Sequence, residues 1–510
     1  MNNNLVIAYE DNKKLILEWD KNDLATEYEL VGLNKLFIYE EITRTKTNKL
    51  SIRKDKIKNY IELRINYILN DKRISKEIIL SKSNRLPLAK KEFETISIKC
   101  IKSYSGLTLS FDTQYIYDKY YLYVKDDNVY KLLMVIEDPQ VNSTLIEENK
   151  VYMVEAYNKE NNDYVIKAKS NDYTCVIETV PKINGKPKIS VAVPVFNSEG
   201  FIARCVDSVL LSTMHDIEVI LIDDESTDNS PAIIDWYSKY YDGIVRSYHQ
   251  KNIGVSGTRN RGIELATGDY IGLMDNDDLV HPRMYEELYE GIKKYNAPIA
   301  IAKTLIREDI ENTNICLDVP NDKKDRFKLY TYEEMFKYKN ERDIKNIYFV
   351  AVWNKIIRAD IIKDHLFPSQ NHYEDSTYTK MIYSYMDNFV FAFDAYYIWD
   401  KRRRKTTGTA STYNYNEKEE DKLLYHRLYC NSTFYAAKEG NIDRINYVIY
   451  DAIKESLEYL TETNCKNSDN DIYNLYKDAI KEVNSRHNIL DVDLIKNDEE
   501  VKAFAEEMLK

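Results

Sequence analysis

Glycine, proline and cysteine are scarce: the 510 residues hold 13 glycines, 10 prolines and 6 cysteines. Cys100, Cys175, Cys205, Cys316, Cys430 and Cys465 lie far apart with no CxxC or CxH spacing. Neither a disulfide frame nor a structural zinc site is expected, and reduced thiols in the cytoplasm fit this usage. No window reaches the roughly 18 uninterrupted apolar residues that a spanning helix needs. Glu10, Asp11, Lys13 and Lys14 stand where a signal peptide would carry its apolar core, so neither membrane insertion nor Sec export is expected. Peripheral attachment at the inner face of a membrane stays open. Basic residues number 72 against 84 acidic ones, a net charge of −12. That balance disfavours nucleic acid as a partner and confines any phosphate site to a local patch. What is present, 44% apolar and 31% charged residues, specifies a multidomain globular chain. The 44 tyrosines are ascribed to a compositional bias toward Tyr, Asn, Lys and Ile codons rather than to sugar-stacking surfaces.

The first 180 residues alternate in strand period, with Asn, Asp and Lys turns about every ten residues. They contain a repeat. Leu15, Leu17, Trp19, Asp20, Tyr28, Leu30 and Tyr60 return as Leu107, Leu109, Phe111, Asp112, Tyr120, Leu122 and Tyr152, all 92 residues later. The unit length and the Leu-x-Leu-x-aromatic-Asp strand resemble tandem fibronectin type III or immunoglobulin-like modules. Two all-β sandwich modules are therefore expected, 1–86 and 87–182, with hinges near Ser83 to Lys90 and Pro181 to Lys188, serving recognition or assembly. From Ile189 apolar runs alternate with helical stretches, the pattern of βαβ units on a largely parallel sheet, and this α/β domain is placed at 188–415. Residues 416–510 read as helical, with Ile445, Ile449, Ile453, Leu457 and Leu460 on one face. That face can pack on the α/β domain, form a homo-oligomer seam or receive a partner helix.

Three apolar strands end in chemistry. Ile189 to Asn197 runs into Pro194, Val195 and Asn197 at the carboxyl edge of the sheet, where α/β proteins bind ligands. Val219 to Asp223 ends at Asp223-Asp224, able to accept hydrogen bonds from a nucleobase or ribose; the competing reading is a helix cap by Ser226 or Asp228. Tyr270 to Leu273 runs into Asp275-Asn276-Asp277-Asp278. Three carboxylates in four residues repel one another, and hard oxygen ligands in a short turn suit Mg²⁺ or Mn²⁺. Against this stands an acidic turn in which Asp278 caps the next helix.

These motifs, PVFNSEG at Pro194, DDESTDNS at Asp223, NIGVSGTRNRGIELATGDYIGLMDNDD from Asn252, VWNKI at Val352 and HYEDS at His372, resemble glycosyltransferase family 2 in residues and order. The resemblance covers Lys188 to Thr412. It implies a GT-A (Rossmann-like) fold and metal-dependent, inverting transfer from a nucleotide-diphosphate sugar. It further implies that Pro194, Val195 and Asn197 border the nucleotide, that Asp224 meets uracil, and that Arg259 approaches base or phosphate. Asp275, Asn276 and Asp277 would be the DxD element, with Asp277 the direct ligand of Mn²⁺ or Mg²⁺ and Asp275 beside it. Two departures stand out: Glu225 occupies the place of a family glycine, and a downstream metal-ligating His has no counterpart.

Inverting transfer needs a base opposite the leaving diphosphate, and Asp375 of the Glu374-Asp375 pair fills that role by resemblance. The pair equally suits a helix cap. Trp353 fits either the core or a sugar-stacking acceptor subsite, with Asn354 and Lys355 beside it. Lys401 to Lys405, with Arg402, Arg403 and Arg404, is the one dense basic run, read as a diphosphate clamp or as a solvated charge run. The function expected is a cytoplasmic hexosyl- or N-acetylhexosaminyltransferase using a UDP-sugar. Its acceptor would be a cell-surface polysaccharide, a teichoic-acid-like polymer or a protein such as flagellin. The alternatives are an inactive scaffold of the same fold and a nucleotidyltransferase, which lacks its Gly-rich, Lys-bearing phosphate loop at Pro194 to Gly200.

Overall fold

The computed structural model describes residues 6–11, 14–19, 27–33, 39–47, 49–53, 62–69, 72–74, 80–81, 94–126, 129–160, 163–307, 315–316, 325–335, 351–368, 374–401, 440–441, 445–462 and 471–510. They fall into two compact units, Met1–Phe93 and Glu94–Lys510.

Apart from a bend at Lys46 and Thr47, the described residues of the first unit are all strand. β1 (Val6–Asp11), β2 (Lys14–Trp19) and β5 (Lys49–Arg53) form one antiparallel sheet in the order β1-β2-β5. A second sheet runs β4-β3-β6-β7, from β3 (Glu27–Leu33), β4 (Tyr39–Thr45), β6 (Glu62–Leu69) and β7 (Lys72–Ile74), with β8 (Leu80–Ser81) on β6. Tyr28 and Leu30 on β3 are buried. Asp20, Tyr60 and the expected hinge at Ser83 to Lys90 fall wholly or largely outside the described residues.

The second unit opens with the same arrangement. β9 (Glu94–Ser103), β10 (Gly106–Asp112) and β13 (Gln140–Ser143) repeat the order of β1, β2 and β5. β12 (Val129–Ile136), β11 (Lys119–Asp126), β14 (Val151–Glu160) and β15 (Asp163–Ser170) repeat that of β4, β3, β6 and β7, and β16 (Tyr173–Thr174) lies on β14. Alternate residues of both halves meet in one buried cluster. Leu107, Leu109 and Phe111 come from one side and Tyr120, Leu122 and Tyr152 from the other, so in the second copy these repeated residues are core positions.

The central sheet is built from β17 (Ile189–Val195), β18 (Ile217–Asp224), β19 (Val245–Gln250), β20 (Tyr270–Leu273), β21 (Leu279–Val280), β22 (Ile299–Arg307), β23 (Ile315–Cys316), β24 (Phe327–Thr331), β25 (Lys355–Arg358) and β26 (Asn388–Asp400). Their order is β19-β18-β17-β20-β25-β22-β26-β21, with β23 on β22 and β24 on β26. β17, β18, β19 and β20 are parallel, whereas β25 runs antiparallel to both its neighbours. Every residue of β17 and β18 is buried, as parallel strands covered on both faces require, which explains their unbroken apolar runs. Helices Ile202–Leu210, Ser230–Tyr240 and Gly254–Leu265 make the crossovers. Gly262 lets the last of these lie against β17, since a Cβ there would stand 2.7 Å from that of Ala192. Because the chain leaves β17 toward β18 and later returns on its other side as β20, the carboxyl ends of these strands border the crevice where such sheets bind ligands.

Two further parts join this core. The C-terminal helices Asn446–Glu462, Asp471–Arg486 and Glu499–Leu509 bury Ile449, Ile453, Leu457, Leu460, Tyr476 and Phe504 in the same apolar cluster as the sheet. The β region at 94–182 meets the sheet's helices through a buried polar seam. Thr108 Oγ1 donates to Asp207 Oδ2 at 2.6 Å, Tyr237 donates to Asp207 Oδ1 at 2.6 Å, and the Ser103 hydroxyl lies 3.0 Å from that of Tyr237. Burial pushes the Asp207 carboxyl up to about 6, against the pull of Thr108, Tyr237 and Ser103. The segment Pro181 to Lys188, expected as a hinge, thus connects two parts of one compact unit. Among the described residues no helix is long and apolar enough to cross a membrane.

Candidate active site

β17 delivers Pro194, Val195 and Asn197 to the crevice, and their polar groups organise the neighbouring turns. Asn276 Nδ2 donates to the Pro194 carbonyl at 2.7 Å, tying the end of β20 to the end of β17. Asn197, at φ 47°, accepts the Thr227 N–H at 2.8 Å on Oδ1, and its own N–H goes to Ser226 Oγ at 3.0 Å. The β18 turn carries a second left-handed residue, Glu225, at φ 66°. This is the position where the resemblance leads one to expect glycine, and here a carboxylate side chain bears the strain and accepts the Asn252 N–H at 3.2 Å.

Asp224 is buried, and its carboxylate receives Gln250 Nε2 at 2.9 Å and the N–H groups of Ile253 and Gly254 at 3.0 Å each. It therefore sits on the N-terminus of the Gly254–Leu265 helix, where the helix dipole favours an anion. The helix after β18 is served by Asp228, which accepts the Ser230 N–H at 2.9 Å. Phe196 and Ile253, 45% and 57% exposed, flank this region. The motif reading did not single them out; an apolar side chain at a strand end followed by polar turn residues is the signal that would have.

One turn further along the same helix lies Arg259, 3% exposed. Nη1 donates to Glu374 Oε1 at 2.8 Å and to Asp375 Oδ1 at 2.7 Å, and Nη2 donates to Asp275 Oδ1 at 2.9 Å. The Phe367 ring lies 5.6 Å from the guanidinium. Burial opposes the charge on Arg259, but Asp375, Asp275 and Glu374 together hold it firmly protonated. The sequence expectation set Arg259 against base or phosphate; in this structure its guanidinium joins the two acidic motifs, which are about 100 residues apart in the chain. Glu374 and Asp375 also form the acidic first turn of helix Glu374–Tyr383, so cap and cluster are one arrangement. Burial raises the Asp375 carboxyl well above the usual range; Arg259 works against this, while Glu374 and Asp275 add to it.

Within the acidic turn the carboxylates have separate fates. Asp275 and Asp277 are half-buried. Asp278 is fully buried, accepting the Tyr397 hydroxyl at 2.7 Å and the Asp400 N–H at 2.9 Å, so it anchors the turn to β26 rather than capping the next helix. Tyr397 also accepts the Asp275 N–H at 3.3 Å. Nothing in sequence spacing pointed to Tyr397, which arrives from the far end of the sheet. Among the described residues no group of three or more His, Cys, Asp or Glu side chains is arranged to hold a metal ion. Asp275 and Asp277 supply two hard-oxygen carboxylates, a set that fits an Mg²⁺ or Mn²⁺ ion drawing its other ligands from a diphosphate and water.

Trp353, Asn354 and Lys355 lie inside, at 5%, 0% and 2% exposure. Trp353 stacks on Tyr397 with centroids 4.3 Å apart, which leaves it in the core beneath the acidic turn. Asn354 Nδ2 donates to Thr304 Oγ1 at 3.3 Å, and the Lys355 amino group donates to the Ala351 carbonyl. Burial pushes Lys355 down to about 7, with Asp375 pulling the other way. Of the basic run only Lys401 is described, its amino group 4.2 Å from the Trp399 ring centroid. Arg402, Arg403, Arg404 and His372 lie outside the described residues.

Residues 190–366 match the model of glycosyl transferase family 2. Glycosyltransferase GlyG of Streptococcus pneumoniae serotype 4 is 30% identical over 215 residues, 42% of this chain and 71% of that protein. Poly(ribitol-phosphate) beta-N-acetylglucosaminyltransferase TarP of Staphylococcus aureus is 39% identical over 120 residues, 23% of this chain and 36% of TarP. The chain thus spans most of one relative and about a third of the other. Among solved structures, S. aureus TarS 1-349 in complex with UDP-GlcNAc aligns at a TM-score of 0.42 with 19% identity, over 63% of this chain and 89% of that one. With residues 190–366 matched by the family model and most of GlyG matched at this identity, the chain belongs to glycosyl transferase family 2 and is a glycosyltransferase.

Proposed function

We propose that the protein transfers a sugar, with inversion, from a UDP-sugar to a hydroxyl of a polyol-phosphate or related cell-surface glycan, on the cytoplasmic side of the membrane. The observation that carries this reading is the Arg259 cluster, which gathers Asp275 of one motif and Glu374 and Asp375 of the other on a single buried cation. The polyol-phosphate acceptor draws support from the poly(ribitol-phosphate) transferase activity for which TarP is named; a polysaccharide or a protein acceptor is the second choice. The nucleotide would lie between Phe196 and Ile253 over the Asp224 turn, with Pro194, Val195 and Asn197 at its border. The β regions, read as immunoglobulin- or fibronectin III-like sandwiches, would hold acceptor or partner, and the 402–404 arginines would reach the diphosphate.

In this reading Asp375 takes the proton of the acceptor hydroxyl as its oxygen bonds to the anomeric carbon. The bond from that carbon to the diphosphate breaks, and its electron pair leaves with the nucleotide. Burial raises Asp375's affinity for a proton and Arg259 works against that rise, a balance suited to a residue that must accept the acceptor's proton. Glu374, on the same guanidinium, fixes the pair's orientation. Asp277 and Asp275 would hold an Mg²⁺ or Mn²⁺ ion, which would supply charge neutralisation for the leaving diphosphate. Asp375→Asn should keep donor affinity and lower transfer by about 10² to 10⁴. Calorimetric donor binding, transfer kinetics and the anomeric coupling of the product by NMR check this. Wild-type transfer in the variant would remove Asp375 from the mechanism, and loss of donor binding would make it a pocket residue.

A further inference from the structure

Helix Ile202–Leu210 is wedged between the acidic turn and the β region at 94–182. Toward the turn, the Cys205 thiol lies 3.5 Å from the Asp275 carbonyl and Ser208 Oγ accepts the Val280 N–H at 3.3 Å. Toward the β region, Asp207 accepts from Thr108, and the Arg204 carbonyl accepts Gln140 Nε2 at 3.0 Å. Arg204 itself spans both sides. Nη2 donates to Asp400 Oδ2 at 2.7 Å, and Nη1 reaches Asp138 Oδ2 at 3.4 Å. Asp400 is fully buried, and its N–H goes to Asp278, the residue directly after the metal-site carboxylate Asp277. Asp138, in the turn between β12 and β13, is braced by Arg307, whose Nε lies 3.3 Å from Oδ1 and which also donates to the Glu137 carbonyl. Removing the Arg204 guanidinium leaves Asp400 and Asp278, both fully buried, side by side with one cation fewer, a change that low dielectric makes costly.

We propose that Arg204 is a positioning residue for the Asp275–Asp277 turn, and that Asp138 makes the second β region a working part of the catalytic apparatus. Contacts behind a metal-binding turn orient its ligands, and their loss costs about 10- to 100-fold in metal affinity or activity. The proposal rests on the reading of that turn as the cation and diphosphate site, so its test includes a measurement free of both. In the full chain, amide hydrogen exchange is compared at 274–281 and at 189–195 for the wild type, Arg204→Met, Arg204→Lys and Asp138→Asn, without metal. Mn²⁺ binding in the presence of UDP is then followed by the resonance of the free ion.

Arg204→Met and Asp138→Asn should speed exchange at 274–281 while leaving 189–195 unchanged, and should weaken Mn²⁺ binding about tenfold. Arg204→Lys should recover part of both, because a point charge can meet Asp400 but cannot fork to Asp138 as well. Unchanged exchange at 274–281, or an equal rise in both segments, overturns the proposal. Faster exchange at 274–281 in a protein whose wild type binds no Mn²⁺ leaves the positioning role standing and removes the cation from the proposed function. Asp138→Asn, nearly isosteric, decides the matter if Arg204→Met does not fold.

Discussion

The two β regions share a strand order and a 92-residue offset, yet the first is a compact unit of its own and the second is fused with the catalytic part. The difference lies in residues that the repeat ignores. Ser103, Thr108, Asp138 and Gln140 make the seam of the second copy, and one offset earlier stand Asp11, Ile16, Lys46 and Asn48. Thr108 lies between Leu107 and Leu109, so its side chain leaves the opposite face of β10 from the pair that fills the core. Inward positions make the fold; outward ones decide whether it stands alone or becomes a wall of something else.

The largest test of this contrast is truncation. Removing residues 1–93 should leave donor hydrolysis close to wild type, whereas removing 1–182 should abolish soluble, active protein. The second deletion strips Asp207, Tyr237 and Arg204 of buried partners, each costing about 1–3 kcal/mol against a typical total of about 5–15 kcal/mol. Soluble yield, thermal melting and donor turnover read the outcome, and equal behaviour of the two truncations would erase the contrast.

A smaller effect comes from the charge inside the seam. Because Asp207 is raised to about 6, the folded chain keeps a proton that the unfolded chain releases near pH 4. Its contribution to stability is therefore greatest below pH 4 and is lost as pH rises through 6. Asp207→Asn removes that dependence. The stability difference between wild type and variant should shift by on the order of 2 kcal/mol between pH 4 and pH 7, against the wild type, in denaturant titrations. A pH-independent difference would mean that Thr108 and Tyr237 hold the carboxylate ionised throughout.

The smallest effect is the control. Lys46→Asp gives the first copy the carboxylate of the second at an exposed site, and with no arginine fork provided it should change stability by no more than about 0.5 kcal/mol.

Much of this architecture could be read from the chain. Strand and helix periodicity exposed the repeat and the βαβ order, because both follow from local alternation. Asp275, Glu374 and Asp375 could be picked out as acidic clusters at element boundaries. Their union on Arg259 could not, since it depends on how far the Gly254–Leu265 helix reaches across the sheet edge. Trp353 was undecided between core and subsite for a similar reason: the ring that covers it, Tyr397, sits on a strand brought in by pairing over long separation. The seam was invisible because a threonine, a serine and an aspartate on the outer face of a strand look like ordinary solvent-facing residues.

The left-handed Glu225 has a consequence for altering this enzyme. Its neighbours hold the turn, with the Ser226 N–H on Asp223 at 3.2 Å and Ser226 Oγ under the Asn197 N–H, while the Asn252 N–H rests on the Glu225 carboxylate and would be released by a substitution. A turn so determined by its surroundings retains its course when the side chain changes, and glycine there would even relieve about 1–2 kcal/mol of strain. Position 225 is thus a place where side-chain chemistry beside the proposed nucleotide site can be varied over a constant frame, a natural first site for a library aimed at donor choice.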